Sequence, residues 1–515
     1  MRETGGISSA SGTSVFLLGG IKYARLYNSW NLWDGLTVSS GQLGSFPKQP
    51  HLKARIMYTR EQTQQAIAKM VNARSVAVVG ASADPTKYGY LTLSNIIEGG
   101  FRGAIYPINP KASEILGLKA YPAIKNLPEV PELIVVLVPA ERVPGVLEEA
   151  GNMGIPAAVI ITGGFREIGR HDLEEEIRAI GRRHSLRFVG PNIQGINYLP
   201  NQLNAVFFPT LFVSGKISVV SGSGTVTAAV CGWAEDEGLG VSAAINLGNQ
   251  TDLCDCDFMD YFAEDSSTNV IALYIEGVRD GKRFLETLSK ITPRKNVVIM
   301  KGGRTAAGLN SAASHTGALA GSHAVFASAC RQHGAVVVSD TETLFDAAKT
   351  LALLPPFSGN RVVNISSSGG AGTIACDEAE TQGLVIPPLP GELVEELKTA
   401  GLSPNATLSN PLDLAAFYAD GFEKAATIVD KYGVADCINL NYGDPVPGGV
   451  ETAKNLRDAL RSHIVVTYFG GGQLEKEGRL AMHALGIPVF PTPERAMRGI
   501  AAGVQLAEYR RKRGL

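Results

Sequence analysis

The chain carries almost no net charge: 47 lysines and arginines face 49 aspartates and glutamates, leaving −2 at pH 7. A nucleic-acid or anionic-membrane surface needs a basic excess, so neither partner is expected. Apolar runs are short, none approaching the roughly 18 residues that a membrane span requires. Cysteine is sparse, six in 515 residues, and only Cys254 and Cys256 stand close together. A CxC pair with no further Cys or His beside it offers too few ligands for a metal, so none is expected. Scattered thiols suit a reducing cytoplasm. Also missing is GxGxxG after the first apolar strand, with the acid about 20 residues on that would take a ribose, which disfavours a nicotinamide cofactor.

What is present is the composition of a globular protein, 45% hydrophobic and 19% charged, with 58 glycines. A prior of roughly 150 residues per domain suggests three domains. Residues 1–56 have little periodicity and many Gly and Ser; they read either as a disordered extension or as sequence ahead of a true start at Met57. From there short apolar runs alternate with amphipathic stretches, the rhythm of a parallel, doubly wound α/β sheet. Strands are expected at Arg74–Gly80, Gly103–Pro110, Leu133–Pro139, Ala157–Gly163 and Arg187–Pro191. A second unit has strands at Lys216–Ser221, Val241–Leu247, Val270–Ile275 and Asn296–Lys301, with a helix over Val226–Glu237. A third opens after Pro355 and Pro356 with a strand at Arg361–Ser366, the turn Ser367–Thr373 and a helix over Ile374–Gln382, and closes with a strand and helix in Gly486–Ala501. Strand, Ser/Gly turn, small-residue helix and acidic end occur in both units, which suggests an internal duplication. The division expected is 57–205, 206–355 and 356–515.

Candidate chemistry sits at the strand-to-helix turns, where an open α/β sheet binds its ligands. The turn Gly80–Gly89, GASADPTKYG, lets backbone approach a phosphate at a helix N-terminus, with Lys87 adding charge. A second lysine in Asn109-Pro110-Lys111 suits a 3′-phosphorylated nucleotide such as coenzyme A; the alternative is an empty structural turn. The turn Ser221–Thr225, SGSGT, opens a helix able to hold an anion, whereas SSGGAGT in the third unit reads as a vestige. Ser311–Gly321, SAASHTGALAG, has eight Ala, Gly or Ser among its eleven residues around one imidazole, His315. A lone His is usually structural, but such a loop can also carry a nucleophile that holds a phosphoryl group covalently. Glu276 ends a strand in LYIEG; it is either a surface residue or the carboxylate that fixes the tautomer of that imidazole.

Taken in order, VVGAS…K.G, INPK, VPA, ITGGF.E, GPN, SGSG, GN..D, YIEG, KGGR, SHTGALAG, NPLDL and GIPVF.TPERA resemble the NDP-forming acyl-CoA synthetases, the superfamily of succinyl-CoA synthetase. The nearest pattern is the α subunit of ADP-forming acetate–CoA ligases, over about Met57 to the C-terminus. The resemblance implies a Rossmann-like coenzyme A domain followed by two flavodoxin-like domains. It implies phosphorylation of His315, with Glu276 steadying it. It implies coenzyme A contacts at Gly80, Ala81, Ser82, Lys87, Asn109, Lys111, Val138, Pro139, Ala140, Thr162, Gly163 and Gly164. Asn192 would approach the thioester, and Ser221, Gly222, Ser223 and Gly224 the phosphate. Two positions depart from the family: Ile193 stands where many relatives have Cys, and SGSGT where many have SQSGA. The family's ATP-grasp module has no counterpart within the 515 residues, so the resemblance implies a β subunit that supplies the ADP/ATP and Mg²⁺ site. The rival reading is a non-catalytic coenzyme A- or acyl-CoA-binding regulator on the same domains.

Overall fold

The computed structural model describes residues 58–208, 210–310, 322–415, 418–443 and 446–515. Their strands form three main sheets. The first is five-stranded and wholly parallel, ordered Ala104–Ile108, Ser75–Val79, Leu133–Val136, Ala157–Ile160, Arg187–Val189. Ser75–Val79 is buried at every position, as a strand covered by helices on both faces must be, and this is why it reads as an unbroken apolar run. The chain leaves this strand for one neighbour and later returns on its other side. The turn after Val79, at Gly80, therefore sits at the crevice where strand order reverses.

The second sheet has seven strands, ordered Val336–Val338, Asn296–Lys301, Val270–Ile275, Ser214–Ser221, Val241–Asn246, Gly195–Tyr198, Leu203–Val206. The last two are an antiparallel hairpin that pairs with Val241–Asn246. The periodicity gave no hint of this hairpin, and the expected division at 205/206 runs through its second strand. The third sheet is ordered Thr407–Leu408, Leu412–Asp413, Val362–Ser366, Cys437–Gly443, His463–Phe469, Val489–Phe490. Helix starts lie earlier than expected. Gly224–Asp236 begins behind N-cap Ser223, and Gly369–Thr381 behind Ser368, so the end of the first expected turn and most of the second are helical first turn. Small residues hid the helix because glycine is a poor helix former outside the context of packing.

The sheets are tied by specific polar contacts. Residues 249–253 lie along 188–191, with the N–H groups of Asn249, Thr251 and Leu253 donating to the carbonyls of Pro191, Gly190 and Phe188. Arg187 crosses to Asp252 at 2.8 Å. Between the second and third sheets Lys349, fully buried, pairs with Glu237 at 2.9 Å and donates to the Val489 carbonyl at 2.8 Å. Arg495 adds a two-bond pair with Asp346, at 2.7 and 2.9 Å. His483 donates Nδ1–H to the Glu237 carbonyl at 3.0 Å and accepts the Val489 N–H at Nε2, which fixes one neutral tautomer.

Candidate active site

Two cavities meet at a stacked ring pair, Tyr88 of the first lying 4.4 Å from Phe207 of the second. The first, about 560 Å³, is lined by Gly80, Ala81, Ser82, Lys87, Asn109, Val138 and Pro139 among the expected residues. Gly80 has φ +96°, and a Cβ there would stand 3.0 Å from the Leu137 carbonyl, so the first and third strands approach as closely as backbone allows. A Cβ on Gly89 would reach 2.0 Å from the Gly80 oxygen, which seats the next helix directly on the turn. Asn109 ties the far wall: its amide donates to the Ala81 carbonyl and its oxygen accepts the Lys111 N–H, both at 2.8 Å. Lys111, Ala140, Thr162, Gly163 and Gly164 do not line this cleft. Thr162 supports it from behind, donating to the Val138 carbonyl at 2.8 Å, and Ala140 packs under Gly164. Arg142 and Tyr88, neither expected, do line it.

The second cavity, about 540 Å³, gathers Asn192, Gly222, Ser223, Gly224 and Glu276. Ser221 lies beneath, fully buried; its hydroxyl accepts the Ser223 N–H at 3.0 Å and donates to the Ser223 carbonyl at 2.7 Å. That bent connection aims the start of helix Gly224–Asp236, with its unpaired N–H groups and positive dipole end, into the cavity. Asn192 holds a left-handed backbone, φ 62°, and donates its N–H to the Thr162 carbonyl at 2.9 Å, so it faces both strand ends. Beside Glu276 the Tyr274 hydroxyl is pushed up to about 12 by burial and by that carboxylate.

Sequence reasoning missed the cations of this cavity. Arg166, from the first unit, and Arg279, from the second, both donate to the Asn249 carbonyl, Arg166 at 2.7 Å. Asn249 in turn donates to Glu167 at 2.7 Å and to buried Glu174 at 3.1 Å. Burial raises the Glu167 carboxyl, but Asn249 and the N–H groups of Gly164 and Phe165 outweigh it and hold it below the usual range. Arg166 pairs with Glu174 at 3.3 Å. Arg279 makes no ion pair among the described residues, and burial, then Arg166 and Arg178, lower its pKa. The GN..D pattern was the available signal, since Asn249 and Asp252 organise this junction, but nothing in spacing pointed to the arginines. His315 and all of Ser311–Gly321 lie outside the described residues, as do residues 1–57.

Among the described residues, the ligand atoms of Cys254, Asp255 and Cys256 lie within 4.8 Å of one another. Burial pushes the Asp255 carboxyl up, and the Cys254 contact with burial pushes the Cys256 thiol up. Both favour the neutral forms, which are poor ligands. No helix among the described residues is long and apolar enough to cross a membrane.

Two family models match this architecture: the coenzyme A binding domain over residues 74–198 and the succinyl-CoA ligase like flavodoxin domain over 214–351. The α subunit of ADP-forming acetate–CoA ligase I from Pyrococcus furiosus is 35% identical, covering 87% of this chain and 99% of that one. The ADP-forming acetate–CoA ligase of Methanocaldococcus jannaschii is 34% identical over 83% of this chain, which spans 61% of that longer protein. Among solved structures, the dinucleotide-forming acetyl-coenzyme A synthetase 1 of Ca. Korarchaeum cryptofilum, in complex with phosphate and ADP, superposes with a TM-score of 0.80 at 33% identity, covering 87% of this chain and 99% of that one. A coenzyme A-binding sheet joined to succinyl-CoA-ligase-like flavodoxin sheets defines a class of acid–CoA ligases. The chain belongs to the NDP-forming acyl-CoA synthetase family, in its ADP-forming acetate–CoA ligase branch. With that membership the non-catalytic regulator falls away.

Proposed function

We propose that this chain is the α half of an ADP-forming acyl-CoA synthetase that interconverts acyl-CoA, phosphate and ADP with an organic acid, coenzyme A and ATP, working with an ATP-grasp β subunit in the cytoplasm. The observation that carries this reading is the adjacency of a cleft built on Gly80 and Lys87 to a cavity that holds Glu276, Asn192 and the Ser223–Gly224 helix start. Coenzyme A lies in the cleft, its phosphates on the Gly80–Lys87 turn with Arg142 beside them, and its thioester reaches Asn192. Residues 57–205 bind it, 206–355 carry the phosphoryl chemistry, and 356–515 form the second flavodoxin-type unit.

A phosphate oxygen attacks the thioester carbonyl carbon. The carbon–sulfur bond breaks, and the coenzyme A thiolate leaves with the phosphate's proton. A nitrogen of His315 then attacks phosphorus in the acyl phosphate, and the acid leaves as carboxylate. Glu276 accepts from the other ring N–H and so leaves the attacking nitrogen its lone pair. The helix start at Ser223 and Gly224 stabilises the phosphoryl charge, as fixed dipoles at a developing anion do. Arg279 adds a positive charge to the same seat. His315 finally hands the phosphoryl group to ADP in the β subunit, whose Mg²⁺ would neutralise the nucleotide's phosphates.

The test is to copurify the chain with its ATP-grasp partner, add Mg²⁺ and γ-labelled ATP, and assay acid-labile, base-stable phosphate. Label on the wild type, absent from His315→Asn and discharged by ADP or by acid plus coenzyme A, is expected. Label that survives in His315→Asn would sink the relay. A melting temperature raised by NAD and not by coenzyme A would sink the assignment of the cleft.

A further inference from the structure

A third cavity, about 800 Å³, opens between the second sheet and the helices of the third unit. Among the described residues, none that lines it lines either cavity of the candidate active site. One wall is the strand Val336–Val338, which ends the seven-stranded sheet and pairs on one side alone. An open edge leaves carbonyls to be satisfied, and two arginines do this. Arg331 donates to the Val337 carbonyl at 3.3 Å, and Arg304 donates to the Ser339 carbonyl. The two carbonyls are two residues of extended chain apart, so the guanidiniums are moored roughly 6.6 Å from each other. Each commits one of its five N–H donors to that bond, and neither makes an ion pair among the described residues. The nearby acids are engaged elsewhere. Glu378 holds Arg498, a third arginine of the wall, at 2.8 Å, and Glu508 faces Lys512 at 3.6 Å. Asp340 caps the next helix by accepting the Thr343 N–H at 2.8 Å. His323 also lines the cavity; its Nε2 is shut off from solvent and has no hydrogen-bond partner among the described residues. Burial, then the charges of Arg304, Lys301 and Arg331, lower its pKa, so a neutral imidazole stands in a positive field. The third unit contributes the amides of Gln382 and Gln505 and the apolar side chains of Leu384 and Val504.

We infer that this cavity is a binding site for a nucleoside diphosphate, with the diphosphate on Arg304 and Arg331 and the base against the third unit. The guanidinium fork matches phosphate oxygens, and two forks moored along one edge fit a diphosphate better than a single phosphate. The orphan nitrogen of His323 gains a partner in a phosphate or ribose oxygen, which removes the cost of leaving it unpaired. Val336, Leu384 and Val504 offer a flat heterocycle apolar surface, and the two amides, each donor and acceptor, can pair with its polar edge. Glu508 can accept from a ribose hydroxyl. Inorganic phosphate or a small dicarboxylate would use the arginines and leave the amides and apolar wall idle. The volume lies in the range of small-molecule sites. The inference stands apart from the phosphoryl relay, in which none of these residues takes part. Its consequence is mechanical: the phosphate end belongs to the second unit and the base end to the third, so a bound nucleotide clasps the two together.

The experiment is isothermal titration of ADP, and separately of inorganic pyrophosphate, into the full chain without a partner subunit, at saturating coenzyme A so that the first cleft is filled. One ADP per chain is expected to bind, about tenfold or more tighter than pyrophosphate, because the base adds contacts that pyrophosphate lacks. Arg304→Gln and Arg331→Gln should each weaken ADP by about 10- to 100-fold, the loss of a charged hydrogen bond to phosphate. Gln505→Leu should weaken ADP and leave pyrophosphate unchanged. Both arginines are exposed, so their variants are expected to fold, and coenzyme A binding at wild-type affinity checks that they have. Absence of ADP binding would overturn the inference, as would ADP binding that neither arginine change weakens. ADP binding abolished by Arg279→Gln would put the nucleotide in the phosphate cavity and overturn it as well. Pyrophosphate that binds as tightly as ADP would overturn the choice of a nucleoside ligand.

Discussion

The second and third sheets are two versions of one design, and they differ at the start of one helix. Their strand orders correspond, including the short antiparallel strand beyond the parallel core. The connection after the central strand has the same hydrogen bonds in both. Ser221 joins to Ser223 at 2.7 and 3.0 Å, and Ser366 joins to Ser368 at 2.6 and 3.1 Å. The difference lies in what faces that connection. Opposite Ser221 on the neighbouring strand stands Asn246; opposite Ser366 stands Asp413. On the other side Ser221 meets Tyr274, with Glu276 two residues on, whereas Ser366 meets Asn441, with Gly443 two residues on. A Cβ on Gly369 would lie 3.1 Å from the Asp413 carboxylate, so the third unit brings its own anion to the helix start. The second unit keeps a neutral amide at that place and leaves its helix start to a ligand. Between the following strands the second unit also runs longer, 302–335 against 470–488, and the excess contains Ser311–Gly321. A fold can be copied whole while the site goes with a few side chains at the strand ends.

The largest effect should come from making the second unit resemble the third at its acid. Glu276→Gly is expected to lower kcat by about 10³-fold or more, as losing the group that orients a nucleophile or base does. The reciprocal Gly443→Glu should leave kcat within about twofold, since among the described residues no imidazole faces it. Stopped-flow phosphorylation of His315 in both variants checks this; a Glu276→Gly enzyme labelled at the wild-type rate would remove Glu276 from the mechanism.

Next in size are changes at the anion seat itself. Asn246 donates to the Ser221 carbonyl at 3.0 Å and accepts the Gln194 N–H at 2.8 Å. Asn246→Asp turns that donor into an acceptor aimed at a carbonyl and puts a negative charge beside the phosphate. The KM for phosphate should rise about 10- to 100-fold, roughly 1.4 to 2.7 kcal/mol. Arg279→Gln should move the same constant the same way, and Arg279→Lys should recover part of it. A phosphate KM unchanged in Arg279→Gln would leave that arginine a purely structural contact to Asn249.

The two sheets also differ in how far they could be foreseen. Val270–Ile275 and Asn296–Lys301 are found at their expected bounds because a strand buried on both faces must be apolar throughout. The hairpin Gly195–Tyr198 and Leu203–Val206 was invisible, since its buried polar residues Asn197 and Asn204 satisfy each other at 2.6 Å and break the apolar pattern. In the site, Glu276 and the Ser223–Gly224 helix start could be placed from motif and strand end. Arg166 and Arg279 could not, because their convergence on one carbonyl depends on how two sheets dock, and no local spacing records that. Thr162, Gly163 and Gly164 were legible as a motif but do not line the cleft, Thr162 instead bonding to the Val138 carbonyl, a distinction only packing reveals.

The joint between the two copies should respond to pH. Burial, then the Lys349 charge, lowers the His483 pKa to about 3, against 6.5 for a free imidazole. Between those values the unfolded chain binds one more proton than the folded one, so stability rises with pH. The contribution is whole above about pH 6.5 and falls by about 1.4 kcal/mol per unit below it, roughly 2 kcal/mol by pH 5. Urea unfolding followed from pH 8 to 5 should show this slope, and His483→Gln should flatten it. An equal slope in both proteins would assign the acid sensitivity to other groups.

The smallest effect concerns the charge that the third unit places at its own helix start. Asp413 accepts the Ala415 N–H at 2.9 Å, and an asparagine oxygen could keep that bond. Asp413→Asn therefore removes only a charge from the start of helix Gly369–Thr381, which should cost about 0.3–1 kcal/mol through the lost attraction to the dipole. Amide hydrogen exchange is the suitable readout, with faster exchange expected over Gly369–Thr373 and none over the matching helix start at Gly224. Added sulfate should restore protection in the variant and leave the wild type unchanged, because an anion can then take the place the carboxylate held. If sulfate protects both proteins alike, Asp413 does not fill that place.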